Sequence, residues 1–96
     1  IQDPPQDQLN SLIKLYDKKE FQQVFEETQT LVKRYNKSLA IWNLMGASAA
    51  KIEKLDEAVN AFQNTISIKP DLAEAYFNMG ILILVIQLQR LRPVQL

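Results

Sequence analysis

A segment of this chain recurs after 34 positions, and this internal repeat limits the possible folds more than any other sequence feature. Trp42 corresponds to Tyr76, and Gly46 corresponds to Gly80. Earlier in the chain, residues 21–25 correspond in the same way to residues 55–59. A unit of this length cannot bury its apolar side chains alone, so recurring units of this size stack against their neighbours.

Within each period the apolar residues are spaced as on one face of an α-helix. The first such set recurs at i, i+3, i+4 and i+7: Leu9, Leu12, Ile13 and Tyr16. This spacing is typical of an amphipathic helix. Polar segments and one proline separate the sets, as expected at helix ends. The sequence predicts an all-α fold with five helices, at about 7–18, 21–35, 38–52, 55–68 and 72–90.

The second period resembles the tetratricopeptide-repeat (TPR) family, which has this 34-residue period. The matching residues are Trp42, Gly46, Ala58, Phe62 and Pro70, at the W-x3-G, A-x3-F and P positions of the repeat. The resemblance implies an α-α superhelix, a solenoid of about two and a half helix-turn-helix repeats. These repeats fall at about 5–38, 39–72 and, as a partial repeat, 73–90, within a single domain over residues 7–90. We expect residues 91–96 to form a tail.

Physical reasons explain why these residue types recur. Gly46 and Ala58 are small where two antiparallel helices are expected to approach closely. Trp42 and Phe62 are large enough to fill the space between a helix pair and its neighbour, and Pro70 ends a helix because it lacks an amide donor.

The third period begins in the same way, with Tyr76 and Gly80 at the corresponding positions, which predicts the same packing role for them. By contrast, residues 1–6 contain two adjacent prolines and polar neighbours, which offer nothing to bury. We expect an extended or disordered leader there.

The third period then departs from the repeat. Residues 81–86 form an unbroken apolar run, and Arg92 and Pro93 stand where a second helix would need a small residue and an amide donor. The run has three interpretations: a terminal helix that covers the helix at 55–68, a surface that pairs with another copy or a missing repeat, or a membrane span. The run is well under the ~20 residues that a span requires. A β-strand is conceivable from composition, but the repeat register favours a helix.

The composition leaves little for catalysis. The chain has no histidine, no cysteine and only two glycines, which excludes disulfides, thiolate–metal sites and a glycine-rich phosphate loop. The adjacent carboxylates Glu26–Glu27 and Asp56–Glu57 point ~100° apart on a helix, so neither pair converges on one atom. We expect no enzyme activity, no metal and no cofactor.

The resemblance to TPR proteins implies a peptide-binding concave surface formed by the first helix of each pair. The family's contact positions fall here on Asn10, Ile13, Asn43, Ala47, Lys51, Phe77, Asn78 and Ile81. An asparagine amide both donates and accepts, so it can pair with a peptide bond whatever the peptide's side chains. Ordinary solvated asparagines are the alternative interpretation.

The predicted function is a scaffold that binds a protein or peptide on this concave surface, in a cytoplasmic setting. Two alternatives remain: a homo-oligomeric module that assembles through residues 81–91, and the substrate-recruiting arm of a larger glycosyltransferase- or sulfotransferase-like enzyme. Eleven basic residues balance eleven acidic ones, so the composition does not favour nucleic acid as a partner. We expect no membrane partner either.

Overall fold

The computed structural model describes residues 2–91 and contains five α-helices. They are α1 (Gln6–Asp17), α2 (Phe21–Arg34), α3 (Leu39–Lys51), α4 (Leu55–Ile68) and α5 (Ala73–Arg90). Each observed helix end lies within one residue of its predicted position, and the described residues include no strand. The predicted all-α repeat architecture is confirmed: α1 and α2 form one helix pair, and α3 and α4 form a second. Helix α5 follows and packs against α4, without a second helix of its own repeat among the described residues.

The turn between the two helices of a pair has the same geometry in both pairs. Lys19 and Glu53, 34 positions apart, have the left-handed backbone conformation with φ of 66° and 63°. Beyond each of them, an amide reaches back to the helix: Glu20 N–H donates to Leu15 O (2.9 Å), and Lys54 N–H donates to Ala49 O (2.8 Å). This is a Schellman motif, which satisfies carbonyl groups at the helix end.

The core lies where α3 packs between α2 and α4. Phe25, Ala49, Ala58 and Phe62 are at most 3% exposed there, and Trp42 packs against them from the edge. A second cluster, formed by Leu9, Leu12 and Ile41, joins α1 to α3. Because α3 is covered on two sides, it is apolar over most of its circumference, as expected of a helix inside a stack.

The contact between α3 and α4 is tight at one glycine. A Cβ atom on Gly46 would lie 2.8 Å from Cζ of Phe62, a separation that atoms in ordinary contact do not reach. The side chain of Phe62 is itself buried, so it cannot easily move aside. At this position the helix pair therefore has room for a hydrogen atom but not for a methyl group.

Buried hydroxyl groups in the core bond to their own helix. Thr28 occupies the position of Phe62 in the first repeat and is fully buried. Its hydroxyl donates to the carbonyl oxygens of Val24 (2.8 Å) and Phe25 (3.0 Å). Thr65 in α4 donates in the same way to Ala61 O (3.1 Å). These bonds remove the free-energy cost of burying an unpaired hydroxyl.

The expectation of a leader with nothing to bury is corrected at two residues. Pro4 is buried, and the Asp3 carboxylate accepts a hydrogen bond from the hydroxyl of Ser38. Ser38 is also the N-cap of α3, where its Oγ accepts from Ile41 N–H (3.2 Å). The leader is thus tied to the start of the second helix pair, and α1 already begins at Gln6.

Helix α5 is longer than the first helices of the other pairs and covers α4 with one side only. Ala75 and Leu82 are buried, whereas Tyr76 is 48% exposed, and no atom lies within 4 Å of a Cβ built on Gly80. The packing role predicted for Tyr76 and Gly80 is therefore wrong in this structure. The helix that would cover them is absent from the described residues, and Arg92 and Pro93 lie outside that range.

The membrane interpretation of the apolar run finds no support. Within residues 2–91, no helix combines the length and hydropathy that crossing a bilayer requires.

Candidate functional site

A groove of about 470 Å³ runs between α3 and α5, with contributions from α1 and α4. Its lining residues are Tyr16, Asn43, Leu44, Ala47, Ala50, Lys51, Phe62, Glu74, Asn78, Ile81 and Leu82. Helices α3 and α5 are the first helices of successive repeats, so the 34-residue period places equivalent surfaces side by side here. The sequence predicts a concave binding surface on these same first helices, and that role stays a prediction.

The groove has an apolar bottom and a polar rim. Phe62 and Leu82 are buried, and Leu44 and Ala47 are partly buried. Asn43 is exposed on the rim of α3, and Asn78 is partly buried on α5. A mostly apolar concavity with a few polar groups is the usual form of a binding site, and the two amides can each donate and accept.

The groove carries one charge of each sign. Glu74 lies in the first turn of α5, and Lys51 is the last residue of α3. Two helix reversals separate α3 from α5, so the two helices run in roughly the same direction. Glu74 and Lys51 consequently lie toward opposite ends of the groove. The Lys51 Nζ atom also lies over the ring of Phe21, 5.9 Å from its centroid, a cation–π geometry.

Tyr16 closes the α1 side of the groove. Its ring meets the ring of Phe21 edge-to-face, with centroids 5.0 Å apart and an interplanar angle of 67°. Burial raises the pKa of the Tyr16 hydroxyl above its usual 10.0, and the negative charge of Asp17 raises it further. The phenol therefore stays neutral at physiological pH and offers a hydroxyl donor beside the groove.

Five of the eight residues predicted to contact a peptide line this groove: Asn43, Ala47, Lys51, Asn78 and Ile81. The other three do not. Asn10 accepts a hydrogen bond from the Gln6 side chain (3.0 Å), and Ile13 and Phe77 are 45% and 68% exposed outside the groove. Their contribution to a binding surface remains a prediction.

Sequence reasoning missed several lining residues. Tyr16 and Leu44 carry helix-face patterns that predict packing, and Phe62 belongs to α4, the second helix of its pair. Glu74 is an ordinary acidic residue in a first helical turn. No sequence signal distinguishes these residues from core or solvated ones, because the groove arises from how four helices are placed relative to one another.

Across residues 2–91, no group of three or more acidic side chains is placed to hold a metal ion. Every buried side-chain nitrogen and oxygen atom of the described part has a hydrogen-bond partner.

A comparison with protein-family models matches part of this chain. Residues 50–84 match the family model described as TPR repeat, a segment that runs from the end of α3 through α4 into α5. The comparisons with curated proteins and with solved structures gave no significant match.

Proposed function

We propose that this chain, whose residues 50–84 match a TPR-repeat model, is a tetratricopeptide-repeat protein that binds an extended segment of another protein in the groove between α3 and α5. TPR repeats are in general protein–protein interaction modules, and they are typically non-catalytic. The single observation that carries the proposal is that Asn43 and Asn78 both line one groove above a buried apolar bottom.

The two asparagines support binding of a peptide main chain. Each amide can donate to a peptide carbonyl and accept from a peptide N–H, which gives affinity without fixing the peptide's sequence. Specificity would come from apolar peptide side chains that enter the space above Leu82 and Phe62. We propose no catalytic step. A cytoplasmic location is also a proposal, compatible with the cysteine-free composition.

The proposal is tested by selecting binders from a random linear-peptide display library on the purified chain. Selected peptides are then titrated by fluorescence anisotropy against the parent chain and against the Asn43→Ala/Asn78→Ala variant. Loss of two hydrogen bonds of ~1 kcal/mol each weakens binding by about tenfold or more.

The matched control is Asn60→Ala, which removes an exposed asparagine on α4 outside this groove and should leave the affinity within about twofold. Peptides that bind the double variant as tightly as the parent chain would remove the groove from the proposal.

A further inference from the structure

A second apolar surface lies on α5, on the side that faces away from α4. Its residues are Tyr76, Phe77, Gly80, Leu84, Leu88 and Leu91, and we refer to them as the outer stripe. The five large side chains of the stripe are between 48% and 77% exposed. Helix α5 carries charges only near its ends, at Glu74 and Arg90, so the stripe has no charged residue. Contiguous exposed apolar surface of this kind marks an interaction site.

The internal repeat indicates how such a surface is covered. On α3, the equivalent side is covered by α4, and Phe62 contacts the helix where Gly46 leaves room for it. On α5 the equivalent position is Gly80, where an added Cβ atom would meet no packing neighbour within 4 Å. The stripe therefore contains a notch that can receive a large apolar side chain from another helix.

We propose that the outer stripe of α5 pairs with the same stripe of a second copy of this chain, as two antiparallel helices related by a two-fold axis. Helix α5 spans Ala73–Arg90, so its midpoint lies between residues 81 and 82. An antiparallel pair that overlaps along its whole length, with the axis at position 82, sets Gly80 opposite Leu84 of the second copy. The same operation sets Leu84 opposite Gly80 of the second copy, and Tyr76 opposite Leu88.

This register makes the stripe complementary to itself, as a two-fold interface requires. Each copy has one notch at Gly80, and each notch receives Leu84 of the other copy. The large side chains Tyr76 and Leu88 flank these two contacts. Electrostatic repulsion does not oppose the pairing, because the stripe is uncharged and the chain has eleven charges of each sign.

The size of the stripe sets the strength of the dimer. An 18-residue helix is ~27 Å long and ~10 Å wide. One side of such a helix offers much less contact area than the ~800 Å² per partner of a stable interface. The dimer is accordingly weak and reversible. Its mass in solution should rise from the monomer's 11.1 kDa toward twice that value as the protein concentration increases from micromolar to millimolar.

Light scattering on the parent chain and two variants tests the proposal. Leu84→Glu places a charge in the contact and should keep the chain monomeric. Gly80→Leu fills the notch, so it should also prevent dimers, although it adds apolar surface. A merely sticky helix would associate more strongly with this leucine, so stronger association of Gly80→Leu would overturn the proposed register.

The control adds the same side chains elsewhere. Gln29 is exposed on α2, and Gln29→Glu and Gln29→Leu should leave the concentration dependence unchanged. The groove variant Asn43→Ala/Asn78→Ala should dimerise like the parent chain, so failure of the peptide-binding proposal and failure of this one are distinguishable. A parent chain that stays monomeric at millimolar concentration would overturn the inference.

Cross-linking tests the register directly, because the chain has no cysteine of its own. Chains with Gly80→Cys are mixed with chains with Leu84→Cys under mild oxidation. The proposed register brings these two positions within the ~4.4–6.8 Å between Cα atoms that a disulfide spans. Disulfide dimers should therefore form mainly in the mixture. Faster cross-linking of either variant with itself would show that the register is wrong.

Discussion

At the scale of single residues, the two glycines have opposite surroundings although they occupy equivalent positions of the repeat. Gly46 faces the buried ring of Phe62, and Gly80 faces open space. The same substitution at the two sites therefore separates the cost of a steric clash from the intrinsic preference of a helix for alanine.

Gly46→Ala should lower the free energy of unfolding by about 1–2 kcal/mol, because overpacking of ~1–3 kcal/mol outweighs alanine's helix preference of up to ~1 kcal/mol. Gly80→Ala should instead raise it by up to ~1 kcal/mol, since only the helix preference acts there. Urea denaturation at low micromolar concentration, where dimers do not contribute, measures both changes. Equal effects at the two sites would show that Phe62 moves aside freely.

Ionisation of Tyr16 should lower the stability of the fold at alkaline pH. Burial raises the pKa of its hydroxyl in the folded chain above the value of 10.0 in the unfolded chain. Between these two pKa values the folded state holds the proton more tightly, so this contribution to stability is complete below pH 10 and is lost as pH rises through the folded pKa. Tyr16→Phe should lose less stability than the parent chain above pH 10, as measured by urea denaturation at pH 8 and at pH 10.5. Parallel losses in the two proteins would contradict the assignment.

At the scale of elements, the turn inside each helix pair depends on a non-glycine residue in the left-handed conformation. Glu53 and Lys19 are both exposed. In the left-handed conformation, the contact between Cβ and the following carbonyl oxygen costs a residue ~1–2 kcal/mol. The corresponding position in the third repeat is Gln87, which lies inside α5. A helix therefore continues through the point where the other two repeats turn.

Glu53→Gly should stabilise the chain by roughly 0.5–1 kcal/mol, because glycine adopts this backbone conformation without strain. The greater conformational freedom of glycine in the unfolded chain offsets only part of this gain. A gain of 1 kcal/mol corresponds to ~4–8 °C in Tm for a domain of this size. Gln63→Gly, at an exposed position inside α4, is the control and should destabilise by ~0.5–1 kcal/mol. Thermal melts in which both glycine variants lose stability would show that the turn at Glu53 is not strained.

The elements could be predicted from the sequence because two periodicities agree on them. Helical spacing places each apolar face, and the 34-residue period fixes which faces repeat. The burial of Pro4 could not be predicted in this way, because it depends on contacts that no period describes. The packing expected at Gly80 was wrong for a related reason: it depends on a helix in the third repeat that the described residues do not contain.

At the scale of the whole molecule, the described chain is elongated, with principal extents of 52 × 30 × 20 Å. Helix α3 is covered by α2 and α4, whereas α5 packs mainly against α4. The solenoid thus has two distinct surfaces near its C-terminal end: the groove beside α3 and the outer stripe on α5. A peptide in the groove and a second copy on the stripe would approach α5 from different sides.

The candidate site was predictable only where it follows the period. Asn43, Ala47 and Asn78 were found because repeat positions map onto one side of successive helices. Tyr16 and Phe62 were not, since they reach the groove from α1 and α4 through the way the helices stack. Periodicity gives the direction in which a side chain points, but the identity of its neighbours across the groove requires the three-dimensional arrangement.

The charges at the two ends of the groove should fix the direction in which a peptide binds. A basic residue of the peptide is favoured near Glu74 and an acidic residue near Lys51, because complementary charges orient partners even where they add little affinity. Peptides selected on the parent chain should therefore place basic and acidic residues in a consistent order. Selection on the Lys51→Glu/Glu74→Lys variant, which keeps the net charge, should return peptides with the opposite order.

The order is read by sequencing the two selected pools, and a spin label at one peptide end checks the direction by paramagnetic broadening of the Asn43 and Asn78 side-chain amide signals. Raising the salt concentration from 0.05 to 0.5 M, a change that shortens the screening length from roughly 14 to 4 Å, should weaken the preference in both pools. Identical residue orders in the two pools would mean that Lys51 and Glu74 do not contact the peptide. Binding would then depend on the asparagines and the apolar bottom of the groove alone.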